Sequence, residues 1–256
     1  MKIGFIGCGN MATAMLKGIL KSGEVKNGDM IASAKSDKTR EKIEKELGIQ
    51  KADTNAQVVD FADVVFLAVK PQFLEEVLDE IKDNVKEGQI FISIAPGKTL
   101  QWLGEHLGEG TKIIRTMPNT PAMVGEGMTA LCVNEQVTEQ ETLLAVTLCN
   151  TFGKTEVIPE RLMDAVVGVS GSSPAYVFMF LEAMADAAVA DGMPRAQAYK
   201  FAAQAVLGSA KLMLETGKHP GELKDMVCSP AGTTIQAVRV LEEKGLRSAV
   251  IEAQLE

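Results

Sequence analysis

The first residues able to do chemistry are Gly7-Cys8-Gly9-Asn10-Met11-Ala12. They follow a short apolar run, Lys2–Ile6, and open a helical pattern. A GxGxxA turn of this kind can hold a pyrophosphate. The first glycine permits the tight turn, the second lets a phosphate approach the backbone, and the small third residue lets the helix lie close to the sheet. Unpaired N–H groups at the helix start then bind the anion. The motif is weak alone, but between a strand and a helix it stands in its required context.

The end of the next strand separates the two nicotinamide dinucleotides. A NAD site usually carries Asp or Glu there, accepting from the ribose hydroxyls. This chain reads Ala32-Ser33-Ala34-Lys35-Ser36. The acid is absent, while Ser33 and Lys35 offer a hydroxyl and a cation to a 2′-phosphate. NADPH is therefore the expected cofactor. Asp37 keeps NADH open as the alternative, and Lys35 reads equally well as a solvated surface lysine. In an open α/β sheet, ligands bind at the carboxyl ends of strands. Three further strand ends are marked by proline: Ala68-Val69-Lys70-Pro71-Gln72, Ser93-Ile94-Ala95-Pro96-Gly97 and the stiff polar loop Met117-Pro118-Asn119-Thr120-Pro121.

Two polar loops lie in the second half. Gly171-Ser172-Ser173-Pro174 precedes an apolar helix, and Cys228-Ser229-Pro230-Ala231-Gly232-Thr233-Thr234 precedes another. One hydroxyl is enough for a helix cap. The second loop carries more hydroxyls than a cap needs, together with a glycine, and suits a small carboxylate. His106 and His219 are the only histidines, and both read as surface or helix-start residues. No lysine stands in an obvious buried polar motif, as a hydroxy-acid or ketoacid reductase would require. Reduction of a C=N bond fits, because an imine can enter already protonated. A non-catalytic nucleotide-binding protein would keep the glycine turn but lack a coherent substrate loop.

These residues must be positioned by two different patterns. Strands are expected at Lys2–Ile6, Met30–Ser33, Val64–Val69, Gln89–Ile94 and Lys112–Met117, with Met128–Val133 and Lys154–Ile158 beyond them. Helices are expected at Met11–Lys21, Lys38–Leu47, Phe73–Val85, Thr99–Leu107 and Glu139–Thr151. Alternation of this kind implies parallel strands joined by right-handed crossovers. After Pro159 only helices are expected: Leu162–Val169, Ala175–Ala190, Arg195–Glu215, His219–Val227 and Ile235–Lys244. The expected organisation is an α/β, Rossmann-type dinucleotide-binding domain over residues 1–159, then an all-helical domain over 160–256. Ala175–Ala190 is apolar almost all round, so it should be buried on several sides. The remaining residues are few for enclosing it, which predicts a core shared between two copies.

Composition excludes several classes. With 46% apolar residues, the 256-residue chain is not disordered. A net charge of −8 gives no counterion-release drive toward nucleic acid. Four scattered cysteines and two histidines make neither a CxxC pattern nor a His-rich metal site, so no metal is expected and a reduced, cytoplasmic protein fits. The apolar start Ile3–Cys8 is too short for a signal peptide. No uncharged span of about 20 residues is present, so no membrane helix is expected.

At this point the chain resembles the pyrroline-5-carboxylate reductase family, over essentially its whole length. The resemblance rests on Gly4 to Ala12, Phe66 to Pro71, Arg115 to Pro121, Gly168 to Tyr176 and His219 to Asp225. Its most specific stretch is Ser229-Pro230-Ala231-Gly232-Thr233-Thr234-Ile235, which looks like the family signature. There are departures. The family commonly has two glycines where this chain has Ala231-Gly232, and a Gly-Ser-Gly-Pro loop where it has Gly171-Ser172-Ser173-Pro174. Ala34 stands where some members have a phosphate-binding serine.

The resemblance implies an NAD(P)H-dependent oxidoreductase that makes proline from pyrroline-5-carboxylate, the last step of proline biosynthesis. It implies cofactor contacts at Ile6, Gly7, Cys8, Gly9, Asn10, Met11, Ser33, Lys35, Asn55, Ala68, Val69, Lys70, Pro71, Ile94, Ala95 and Pro96. Substrate contacts carry over to Val169, Ser172, Ser229, Gly232, Thr233 and Thr234. The cyclic imino acid would lie between nicotinamide and the Ser229–Thr234 loop, with the Thr234 hydroxyl on its ring nitrogen as the catalytic contact. Homodimers through interlocked C-terminal helices are implied, assembled further into decamers in many members.

Overall fold

The computed structural model describes residues 1–255. The chain divides into two compact units, Met1–Gly171 and Ser172 onward. The first alternates β1 (Ile3–Ile6), α1 (Asn10–Ser22), β2 (Met30–Ser33), α2 (Asp37–Lys45), β3 (Gln50–Lys51), α3 (Asn55–Phe61), β4 (Val64–Leu67), α4 (Pro71–Ile81) and β5 (Ile90–Ser93). It continues through α5 (Leu100–Leu107), β6 (Lys112–Met117), β7 (Gly127–Val133), α6 (Glu139–Asn150), β8 (Gly153–Val157) and α7 (Met163–Val166).

Every residue of β1, β2, β4 and β5 is buried. That is why these strands read as continuous apolar runs: helices cover both faces of a parallel sheet. Phe5 and Phe66 stack at 4.5 Å on the face that packs Met15, Leu16 and Ile19 of α1. Ile6 and Leu67, one residue further along, point into the opposite core with Leu74 and Leu78 of α4.

The strand order is β3-β2-β1-β4-β5-β6-β7-β8, parallel at every pairing except β6–β7. That antiparallel pair falls where the strand–helix alternation lapses, since no helix is expected between Lys112–Met117 and Met128–Val133. The link from Met117 to Gly127 holds only the 3₁₀ turn Thr120–Val124. A parallel return needs a crossover of about a dozen residues or more.

The first unit runs on past Pro159 to Gly171 because the sheet holds it there. Met163 is buried against Ala130 and Cys132 of β7. Arg115, buried in β6, pairs with Glu160 at 3.0 Å, and Glu160 also accepts from the Leu100 amide at 2.7 Å. Beyond α7 the chain makes a π-helical segment, Val167–Ser172, where a plain helix over Leu162–Val169 was expected.

The second unit holds α8 (Ser173–Ala190), α9 (Arg195–Thr216), α10 (Pro220–Val227), α11 (Thr233–Glu243) and α12 (Leu246–Leu255). Alanines make the tight contacts: Ala185 on α8 and Ala198 and Ala202 on α9 are the residues buried there. The expectation that α8 is buried on several sides is not met within one chain. Phe178 and Met179 are 65% and 69% exposed, as is Phe201 of α9 at 67%. The helical run Glu160–Ala190 is long and apolar enough, by length and composition, to cross a membrane. This amends the expectation that no such run exists, which counted only uncharged stretches. Glu182 and Asp186 lie on it.

Candidate functional site

The strand order reverses between β1 and β4, and there the Gly7 turn leaves the sheet. Gly7 has φ +94°, and a Cβ there would meet the Ala68 carbonyl oxygen at 2.6 Å. The chain therefore needs glycine at Gly7 twice over, for its left-handed backbone and for the close approach of β4. Gly9 is the cap position of α1, with no side chain capping the helix and no acid in its first turn. A Cβ at Gly9 would meet nothing within 4 Å. The amides and positive end of α1 thus open into free space, where an anion is favoured.

A cleft of ≈ 540 Å³ begins at this turn and runs along the ends of β2 and β4. Of the expected cofactor residues, Gly7, Cys8, Gly9, Ser33, Lys35, Asn55, Ala68, Val69 and Lys70 line it. Ile6 is buried in β1, and Asn10 and Met11 form the first turn of α1. Pro71 begins α4, for which Lys70 is the cap position. Ile94, Ala95 and Pro96 follow β5 and lie outside the cleft.

Residues singled out by neither motif nor resemblance also line the cleft. Arg40 of α2 donates through Nε to the Ala34 carbonyl at 2.7 Å. Lys35 Nζ lies 5.2 Å from the centroid of Phe73. The β2 end therefore carries two cations. Asp37, the acid that kept NADH open, does not line the cleft and faces Arg40 at 3.7 Å. A signal for Arg40 was present: Ser36 caps α2, and Arg40 falls in the first turn that follows. Deeper in, Ser33 Oγ donates to Asn55 Oδ1 at 2.6 Å, and Asn55 Nδ2 donates to Glu80 Oε2 at 2.7 Å. Burial pushes the Cys8 thiol pKa up, outweighing the Thr13 hydrogen bond and the more distant Lys42 charge.

The Met117–Pro121 loop has its own task. Asn119 Nδ2 donates to the Ser170 carbonyl at 3.0 Å, and Asn119 Oδ1 accepts from the Met128 amide at 2.8 Å. It ties the π-helical segment that bears Val169 to the sheet. Val169 is 62% exposed.

In the second unit, Ser229, Gly232, Thr233 and Thr234 come together between α10 and α11. The Gly232 amide donates to the Ser229 carbonyl at 3.0 Å, closing the turn. A Cβ at Gly232 would meet Ser229 Oγ at 2.4 Å. Ala231 has φ +57°, the left-handed region that a second glycine would occupy freely. Helix α11 starts at Thr233 with Gly232 as its cap, and no side chain caps it. Thr234 is therefore inside the first turn, and the alternative that it caps the helix does not hold. His219 does cap: its Nδ1 accepts from the Gly221 amide at 3.0 Å.

A glycine turn from strand to helix at a strand-order reversal, with cations at the next strand end, defines a Rossmann-type dinucleotide-binding protein. The comparisons with known proteins narrow this. A family model described as NADP oxidoreductase, coenzyme F420-dependent, matches residues 2–97. One described as pyrroline-5-carboxylate reductase dimerisation matches residues 160–256. The pyrroline-5-carboxylate reductase of Escherichia coli (strain K12) is 56% identical over 98% of this chain and 94% of its own length. A solved pyrroline-5-carboxylate reductase from Coxiella burnetii superposes with a TM-score of 0.92 at 35% identity, covering 99% of this chain and 94% of that one. The Plasmodium falciparum pyrroline carboxylate reductase, solved with NADP bound, gives a TM-score of 0.88 at 30% identity, with the same coverage. The chain belongs to the pyrroline-5-carboxylate reductase family.

Proposed function

We propose that this protein reduces pyrroline-5-carboxylate to L-proline, the last step of proline biosynthesis, with NADPH as the preferred cofactor. The observation that carries the reading is the relationship to proteins of that name over almost the entire chain, both units included.

The cleft fits a nicotinamide dinucleotide. The open space at Gly9 and the uncapped start of α1 suit a pyrophosphate, and Ala68–Lys70 at the end of β4 line the same cleft. Lys35 and Arg40 supply positive charge for a 2′-phosphate, and no acid stands at the β2 end itself, the exposed Asp37 that faces Arg40 lying outside the cleft. When bound, the cofactor supplies the hydride that reduces the imine carbon.

The chain's own residues orient the imino acid. The first-turn amides of α11, left without a side-chain cap, hold its carboxylate with the help of Ser229, Gly232 and Thr233. The Thr234 hydroxyl contacts the ring nitrogen and is the catalytic contact, with Ser172 of the same unit as a further substrate contact. The imine enters protonated, so no side chain must deliver a proton to start the reaction. Catalysis is then mainly orientation plus electrostatic tolerance of the iminium.

A second copy covers the exposed apolar residues of α8 and α9, giving a homodimer that assembles further into a decamer. The dimerisation model over residues 160–256 supports the dimer. A reducing, cytoplasmic setting agrees with four free cysteines, of which Cys132 and Cys149 have thiols pushed up to about 11 and about 12, burial being the largest cause. Purified protein mixed with NADPH and pyrroline-5-carboxylate, followed by loss of nicotinamide absorbance, tests the reading. Absence of turnover with either NADPH or NADH would refute it.

A further inference from the structure

Ser33 looks in sequence like a hydroxyl donor for a 2′-phosphate. Its hydrogen bonds imply the reverse. Glu80 reaches from α4 to the start of α3 and accepts twice from Asn55: from Nδ2 at 2.7 Å and from the main-chain amide at 3.3 Å. A carboxylate can only accept, so the NH₂ side of the Asn55 amide must face Glu80. The amide oxygen is thereby turned to Ser33, whose Oγ lies 2.6 Å from it. A serine hydroxyl has one proton. That proton is committed to Asn55, and Ser33 can present only lone pairs to the cleft.

The two dinucleotides differ at one position, where one has a ribose hydroxyl and the other a phosphate. A hydroxyl can donate to a lone pair. A phosphate dianion offers acceptors only, so it gains nothing from Ser33 and depends on Lys35 and Arg40. We propose that Glu80 is a specificity-determining positioning residue. Acting through Asn55, it fixes Ser33 as an acceptor for a ribose hydroxyl and so preserves NADH binding in a cleft whose cations favour NADPH. The acid missing from the β2 end is supplied, at one remove, from α4. This rests on the dinucleotide reading of the cleft.

Glu80→Gln tests it. A glutamine amide can donate to Asn55 Oδ1, which lets the Asn55 amide turn over. Asn55 Nδ2 then faces Ser33, and the Ser33 proton is free to point into the cleft. The experiment titrates NAD⁺ and NADP⁺ calorimetrically into the wild type, Glu80→Gln, Ser33→Ala and the double variant, with no substrate present. Glu80→Gln should weaken NAD⁺ about five- to tenfold relative to NADP⁺, and should add no further discrimination in the Ser33→Ala background. Equal changes for both nucleotides would mean that Glu80 only holds α3 in place, and would overturn the proposal. So would a full effect of Glu80→Gln in the Ser33→Ala background. A wild type that binds neither nucleotide would instead overturn the dinucleotide reading beneath it. Glu80 is exposed, so the variant is expected to fold, and a thermal melt confirms this before titration.

Discussion

Thr234→Val separates a substrate contact from a structural threonine. The substitution keeps the β-branched shape and removes only the hydroxyl. Two structural facts set the expected size of the effect. Gly232, not Thr234, occupies the cap position of α11, so no cap is lost, and the ~1 kcal/mol typical of losing one should not appear. Thr234 is half-buried and valine is of nearly the same shape, so the substitution creates no cavity and adds at most one partly exposed methyl. The melting temperature should stay within about 1–2 °C of wild type, given a surface-level change in a chain of this size. A lost hydrogen bond to the iminium nitrogen should instead remove about 1–3 kcal/mol of transition-state stabilisation, a fall of roughly five- to 150-fold in kcat/KM. Steady-state kinetics with pyrroline-5-carboxylate at saturating NADPH, beside a thermal melt, reads both quantities. Thr234→Ser, which keeps the hydroxyl, should retain most activity. Equal kcat/KM for valine and wild type would refute the placement of the imine nitrogen at Thr234.

Lys35→Glu should erase or invert the preference for NADPH by repelling the 2′-phosphate, and Arg40→Ala should lower it. An unchanged NADPH/NADH ratio in both variants would remove the β2 end from cofactor selection. Phe180→Asp, on a helix left 43% exposed at that residue in one chain, should place an unpaired charge in the shared core and dissociate the assembly. Light scattering that shows a folded wild-type monomer at micromolar concentration would count against a shared core. Ala231→Gly relieves a left-handed backbone at φ +57° and should raise stability by about 1 kcal/mol, measured by chemical denaturation. A destabilised glycine variant would show that the loop does not hold this conformation in solution.

The strands and the glycine turn were legible from residue order because their causes are local. A strand buried on both faces must be apolar throughout, so β1, β2, β4 and β5 announce themselves. A turn with a left-handed backbone pressed against the Ala68 carbonyl must use glycine at Gly7. Elements that bury little apolar surface within the chain left no such trace. β3 is two exposed residues at the sheet edge, and α3 has seven residues with only Val58 and Val59 buried. α12 has no buried residue at all. Family resemblance supplied Asn55, and the Ser36 cap offered a signal for Arg40 that the motif reading did not take up, but neither pattern nor motif pointed to Glu80.

Arg40 and Glu80 mark what only the tertiary structure decided. Whether a helical side chain faces a cleft depends on the phase at which its helix packs, and that is set by distant core residues such as Leu74 and Leu78 on α4. Glu80 meets Asn55 across 25 positions of sequence. A serine's residue type does not say whether it gives or takes a proton. That is decided by which partner holds the other side of the neighbouring amide, and here the partner arrives through the fold.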